Sequence, residues 1–550
     1  MKAITTTILI IITIAASIVA FGQNKMNQDP YPDNEIILKI KPAFKNQCKN
    51  NALQIESVNT LLNAFDVSEI NVKFPFSKVP EKNDGRQTDI TTIYSVKFSN
   101  TIPVLELAYN LSVLPEVEYA QPAYRPQLMY TTNDPLTPAQ YYLNNLKAYQ
   151  AWDICQGSAN VIIGITDTGV EYAHEDLVDN IAYNYNDPIN GIDDDNDGYV
   201  DNFRGWDLGD NDNSAEWSEA SEYGANDHGV RVSGYSAAKT NNGIGIASPG
   251  FNCRFLPVKI SDVNGMLNAS YEGIVYAADH GCQVINCSWG GISPHPYGQD
   301  IINYATFNRN ALVIAAAGNY GNLNNDIFYP CAYNNVICVA ASNSADVMWY
   351  KSCHGPQVDI TAPGEAVYST IGNNSYNSGW GTSFASPLAA SVAALIIAQH
   401  NDTLTALQTG HILKLACDNI DTIPDNIPFA GQLGNGRINM LKAVSPINSP
   451  ALEFDSIEFI PSTDNDTLYI TGIIHNYLSA CNNINASISC SNSHIQIIEQ
   501  NQFIASMGYN SDYHFTTFPF TCKILPGMPY DEIVSFTITL SSGSYIENQT

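Results

Sequence analysis

The spacing of apolar residues divides the chain into three stretches. Between residues 161 and 444, near-continuous apolar runs at 161–165, 255–260, 284–287, 312–317 and 336–341 alternate with helical patterns such as 269–280 and 299–310. Strands with no polar face, separated by helices, predict a parallel sheet covered on both sides. In such α/β sheets, chemistry collects at the carboxyl ends of the strands. Upstream, over residues 28–130, strand-like runs at 35–41 and 93–99 accompany a helical pattern of Val104, Leu105, Ala108, Leu111 and Leu114, which reads as a small α+β unit. After Pro446 the helical patterns stop, and short alternating runs at 468–474, 484–490, 495–498 and 533–540 predict a β-sandwich.

A further pattern stands at the start. Residues 1–22 carry Lys2, a mostly apolar run from Ile8 to Ala20, and small residues at Ala20 and Gly22, the layout of a cleaved export signal. The run is too short for a membrane span, and no later stretch approaches 18 consecutive apolar residues. The expected organisation is a signal over 1–22, the α+β unit over 28–130, the α/β unit over 133–445 and the β unit over 450–550. The mature protein is expected to be secreted or held at the cell surface, without a transmembrane segment.

Charge and cysteines narrow the function classes. A net charge of −30 leaves no basic patch to displace counterions from phosphates, so nucleic acid is excluded as a partner. The 12 cysteines show no Cys-x-x-Cys pair and no Cys/His spacing of a zinc site, so burial or a few disulfides is the better reading. Their pairing is not legible from the sequence.

The heptapeptide at Gly381 holds the first candidate for chemistry. A serine on the first turn of a helix sits in the positive field of free backbone N–H groups, which favours a developing negative charge at Ser383. Gly-Thr-Ser ahead of a helix is equally an ordinary N-cap, and local chemistry does not separate the two. Acyl transfer by serine also needs a base, an acid to fix the base's tautomer, and donors for the oxyanion. Asp167 ends an apolar strand and precedes Thr168-Gly169. His228 opens a helical pattern with small residues at Ser233 and Gly234, and Asn319 follows the strand ending in Ala316-Ala317-Gly318. Taken singly, each of these is more simply a turn, cap or packing residue.

Together, and in the order Asp167, His228, Asn319, Ser383, they make the chain resemble the subtilisin-like serine proteases (subtilases) from about Asn133 to Val444. The resemblance rests on Asp167-Thr168-Gly169-Val170, His228-Gly229, Ala316-Ala317-Gly318-Asn319 and Gly381 to Pro387, and the Asp, His, Ser order is a known mark of that family. It implies a subtilisin-like fold in which Ser383 attacks the peptide carbonyl, His228 is base and then acid, and Asp167 orients His228. Asn319 and the Ser383 N–H would form the oxyanion hole. His228 and Asn319 are not the residues that the related sedolisin-type peptidases use. By the same mapping, Ser288-Trp289-Gly290 is an edge that pairs with extended substrate backbone, and Ala316, Ala317 and Gly318 floor the first specificity pocket. The family usually has leucine where Trp289 stands, which reshapes the pocket for the fourth residue before the cut. It also has threonine and histidine where Val230-Arg231 stand. His174, in His174-Glu175-Asp176-Leu177, reads as structural.

The resemblance further makes residues 28–130 a prosegment that assists folding and acts as an intramolecular inhibitor until removed, with the Pro-containing stretch up to Asp134-Pro135 as the linker that is cut. The acidic loop 190–201 sets Asp193, Asp195, Asp197 and Asp201 around a glycine turn, a spacing that suits calcium. An EF-hand would need glutamate where Arg204 stands, so the alternatives are an insertion-loop calcium site and a merely solvated loop. The expected function is a secreted serine endopeptidase acting on proteins or peptides, with a broad preference for apolar side chains. The competing expectation is a catalytically weak or dead, peptidase-like binding or adhesion protein that works through its C-terminal β unit.

Overall fold

The computed structural model describes residues 34–49, 52–65, 67–80, 88–99, 103–124, 130–219, 227–463, 466–529 and 532–549. The expected export signal, and part of the expected linker, lie outside them. The chain divides into two compact units, Met1–Leu128 and Met129–Thr550.

In the first unit, β1 (Glu35–Ile40), β2 (Val67–Val72), β3 (Ile93–Phe98) and β4 (Val117–Pro122) form an antiparallel sheet in the order β2-β3-β1-β4. The helices α1 (Glu56–Ala64) and α2 (Val104–Ser112) add Val58, Leu62, Leu107 and Leu111 to one core with Ile36, Leu38 and Val96.

The second unit is organised around a parallel sheet. Its main strands are β5 (Ile162–Asp167), β6 (Arg254–Lys259), β7 (Val284–Cys287), β8 (Leu312–Ala316), β9 (Val336–Ser342) and β10 (Ile360–Pro363), ordered β10-β9-β8-β7-β5-β6. Short strands extend both edges, and the pairing of Cys417 with Ile438 is antiparallel, so the sheet is mixed. Helices α3 (His228–Ala237) and α4 (Ser270–Asp279) lie between strands in sequence, and α5 (Thr382–Gln399) and α6 (Ala406–Leu415) follow them. The near-continuous apolar strands are explained by two cores. Ile163, Ile165, Leu312, Ile314, Ile337 and Val339 pack on one face with α5, while Val258, Ile260, Val313, Ala315, Cys338 and Ala340 pack on the other with Ile274 and Ala277 of α4. Adjacent residues of one strand thus enter opposite cores. Helix α5 is long and apolar enough to cross a membrane, but it is the buried helix of the first of these cores.

Beyond Ser445 the chain forms two antiparallel sheets, one built on Thr467–Asn476 and Ser511–Ile524, the other on Cys481–Ser489, Asn501–Met507 and Thr537–Ser542. Both contribute to one core, with Ile470, Ile474 and Phe520 from the first and Ile484, Ala486 and Leu540 from the second. This part packs against α6. The Gln408 side chain, which also closes the capping box with Thr405, donates to the Tyr477 carbonyl at 3.1 Å and the Tyr509 hydroxyl at 3.0 Å. The His411 ring meets a Glu453 oxygen at 3.1 Å. Among the described residues, Cys331 and Cys338 are the one pair of cysteines joined in a disulfide.

Candidate active site

Asp167 is the last residue of β5, at the sheet's carboxyl edge, and it is buried. One carboxylate oxygen accepts the Thr168 N–H at 2.8 Å and lies 2.8 Å from Nδ1 of His228, the first residue of α3. The two motifs interlock through their small residues. The Gly229 N–H donates to the Thr168 hydroxyl at 3.0 Å, and a Cβ on Gly229 would stand 2.2 Å from the Gly169 carbonyl oxygen. Glycine is therefore needed after the histidine, since any side chain would push the imidazole away from the carboxylate. Burial opposes a charged His228, but the charge of Asp167 and the hydrogen bond to it outweigh that, so the His228 pKa lies above the ordinary histidine value.

Ser383 is the second residue of α5, where a backbone N–H has no intrahelical acceptor. The His228 ring packs 5.5 Å, centroid to centroid, from Phe384 beside it. Pro387, four residues on, has no N–H to give the Ser383 carbonyl. That carbonyl instead accepts the Ser288 hydroxyl at 2.7 Å, and the Ser383 hydroxyl donates to the Ser288 carbonyl at 3.2 Å. Ser288, just past β7, is thereby tied to the helix start.

Asn319 lies just past β8, facing the same helix start. Its side-chain oxygen accepts both the N–H and the hydroxyl of Thr382, each at 2.9 Å, and the Thr382 hydroxyl in turn accepts the Gly318 N–H at 3.1 Å. With the oxygen so engaged, the amide nitrogen is the free end. A Cβ on Gly381 would lie 3.4 Å from that nitrogen, and the residue's φ of +149° also favours glycine. Asp167, His228, Asn319 and Ser383 thus stand together at the carboxyl edge of the sheet and the first turn of α5.

Gly290 and Gly318 sit on the two segments beside Ser383, and Ala316 and Ala317 are buried in the sheet. Trp289 is half-buried. Its indole N–H donates to the Thr166 hydroxyl at 3.0 Å, and its ring meets Tyr271 edge-on at 5.4 Å. Val230 is buried, and Arg231 pairs with Asp227 one turn back at 3.0 Å, so both fit α3 without disturbing His228. His174 is buried between the Ser375 carbonyl and the Asp176 N–H.

The acidic loop divides its carboxylates. Asp193 and Asp195 are brought together with buried Asp187, which lies ahead of the loop and which the spacing argument missed; each offers an oxygen within 4.8 Å of the others. Asp197 is instead bound by the His280 ring and the Asn202 amide, both at 2.8 Å, and Asp201 accepts the N–H groups of Asn190 at 2.7 Å and Gly191 at 2.8 Å. A cluster of carboxylates alone fits a hard, oxygen-seeking divalent cation such as calcium.

The subtilase family model matches residues 158–429. The chain is 36% identical over 335 residues to the thermophilic serine proteinase of Bacillus sp. (strain AK1), covering 60% of this chain and 73% of that protein. It is 35% identical over 319 residues to thermitase of Thermoactinomyces vulgaris, covering 57% of this chain and 99% of thermitase. The chain belongs to the subtilase family. Another relative of this subtilase is the halolysin-like extracellular serine protease Nep of Natrialba magadii, 31% identical over 330 residues, 59% of this chain and 57% of that protein. The matched residues include Asp167, His228, Asn319 and Ser383 and end before the two C-terminal sheets.

Proposed function

We propose that this subtilase is a secreted serine endopeptidase in which Asp167, His228 and Ser383 form the catalytic triad and Asn319 is an oxyanion donor. The observation that carries the reading is the 2.8 Å approach of His228 Nδ1 to Asp167, beside a helix start that presents Ser383. With Nδ1–H donated to the carboxylate, Nε2 is left as the base. The Ser383 hydroxyl gives its proton to Nε2 as its oxygen attacks the carbonyl. The oxyanion receives hydrogen bonds from the Asn319 amide and the Ser383 N–H. The proton then passes from Nε2 to the leaving amine as the peptide bond breaks, and water repeats the sequence on the acyl-enzyme. Substrate backbone pairs along Ser288-Trp289-Gly290.

Residues 28–130 would serve as prosegment and intramolecular inhibitor, and residues 450–550 as an accessory β-sandwich. Support for export comes from the signal-like sequence and from the extracellular relative. Calcium, held by Asp187, Asp193 and Asp195, would act structurally by neutralising three clustered carboxylates. The test of the triad is a fluorophosphonate probe, expected to label mature protein at Ser383, with Ser383→Ala losing both labelling and inhibitor-sensitive casein cleavage. Cleavage retained by that variant would remove the assignment.

A further inference from the structure

The first specificity pocket of a serine endopeptidase with this site lies between the segment 316–318 and the edge 288–290. The residue on the acyl side of the cut must send its side chain between them once its carbonyl oxygen is at Asn319 and its carbon at Ser383. That space is occupied. A Cβ on Gly318 would stand 2.5, 2.8 and 3.0 Å from Cδ2, Cε2 and Cγ of Phe328, and a Cβ on Gly290 would stand 3.4 Å from Cδ1 of the same ring. The glycines of both walls thus stand next to one phenyl group, with the Tyr329 carbonyl oxygen nearer still to the Cβ position of Gly290, at 2.9 Å.

The main chain that carries the ring is held in place. Residues 291 and 329 form an antiparallel bridge, with Gly291 N–H to the Tyr329 carbonyl at 2.9 Å and Tyr329 N–H to the Gly291 carbonyl at 2.8 Å, and the Phe328 carbonyl accepts the Ala332 N–H at 2.9 Å. The Tyr320 ring stacks on Phe328 at 5.7 Å with 8° between planes. The opposite wall is fixed too, since Gly318 donates to Thr382 at 3.1 Å and accepts the Cys353 N–H at 2.9 Å. Moving either wall would break main-chain hydrogen bonds.

We infer that Phe328 closes the first specificity pocket and restricts cleavage to peptide bonds that follow a small residue such as alanine or serine, in place of the broad apolar preference expected from sequence. The inference rests on the proposed triad. A pocket filled by a phenyl ring discriminates by overlap, and deleting that ring opens a space of about the size of the excluded side chain.

The test is kcat/KM of mature wild type, Phe328→Ala and Phe328→Gly on succinyl-Ala-Ala-Pro-X-p-nitroanilides with X as Ala, Leu or Phe, alongside fluorophosphonate labelling. Wild type is expected to favour Ala over Phe by at least roughly 10-fold, and both variants to raise the Phe-to-Ala ratio by roughly 10²-fold. Labelled wild type that prefers Phe overturns the inference alone, with no variant needed. A ratio unchanged in labelled variants does the same. No labelling and no cleavage of any substrate by wild type overturns the triad and this inference together.

Discussion

Ser288 and Ser383 exchange hydrogen bonds, the hydroxyl of each donating to the main-chain carbonyl of the other at 2.7 and 3.2 Å. The Ser288 hydroxyl takes up the Ser383 carbonyl that Pro387 leaves without its helical partner. Ser288→Ala is therefore expected to orphan that carbonyl and lower stability by about 1–3 kcal/mol. Adding Pro387→Ala, which restores the N–H, should recover part of the loss. Thermal unfolding of inhibitor-blocked protein reads both, and an unchanged Tm in Ser288→Ala would refute the link.

Under the proposed triad, the raised His228 pKa is expected to set the acid limb of activity. The base must be neutral, so kcat/KM is expected to rise with pH through a midpoint above about 6.5, the ordinary histidine value, and to stay flat beyond it. Asp167→Asn should lower kcat by roughly 10⁴. A limb well below the ordinary histidine value would show that the carboxylate does not govern the imidazole.

Removal of the proposed oxyanion donor, Asn319→Leu, is expected to cost roughly 10²–10³ in kcat with little change in KM. Thr382→Val removes one of the two bonds that hold Asn319, and should lower kcat less, with Thr382→Ser restoring it. If Thr382→Val altered KM alone, Thr382 would be a packing residue.

Chelation is expected to lower the Tm of wild type. In a variant carrying Asp187→Asn and Asp195→Asn the Tm should start low and no longer respond to chelator. Asp197→Asn and Asp201→Asn should keep the response, because those carboxylates lie outside the cluster of Asp187, Asp193 and Asp195. Loss of the response in the second pair would return the ligand set to the loop itself.

Gln408→Glu keeps an oxygen for the capping box but puts a carboxylate against the Tyr477 carbonyl at a buried position. A loss of about 3 kcal/mol is expected at neutral pH. A neutral effect would mean that the C-terminal sheets are not held through this contact.

The fold of the α/β body was legible because its strands are buried on both faces, which writes continuous apolar runs into the sequence. The candidate site was legible through order and context, with Asp167 and Asn319 next to strand ends and Ser383 at a helix start. Contacts made across long sequence distances were not legible. Asp187 precedes the acidic loop and joins it only through the fold, Asp197 is turned toward His280 on another segment, and Phe328 reaches two glycines that lie 10 and 38 residues away in sequence. Trp289 stood out as an unusual residue, but its bond to Thr166 depends on a rotamer that no spacing encodes.

An asparagine amide has two ends of opposite polarity and nearly the same shape. At Asn319 the two Thr382 donors engage the oxygen. A turned amide would set its NH2 against the two Thr382 donors and aim the partial negative charge of its oxygen at the developing oxyanion. Thr382 thus fixes the sign of the field that the reaction meets, a property separate from how strongly the amide binds.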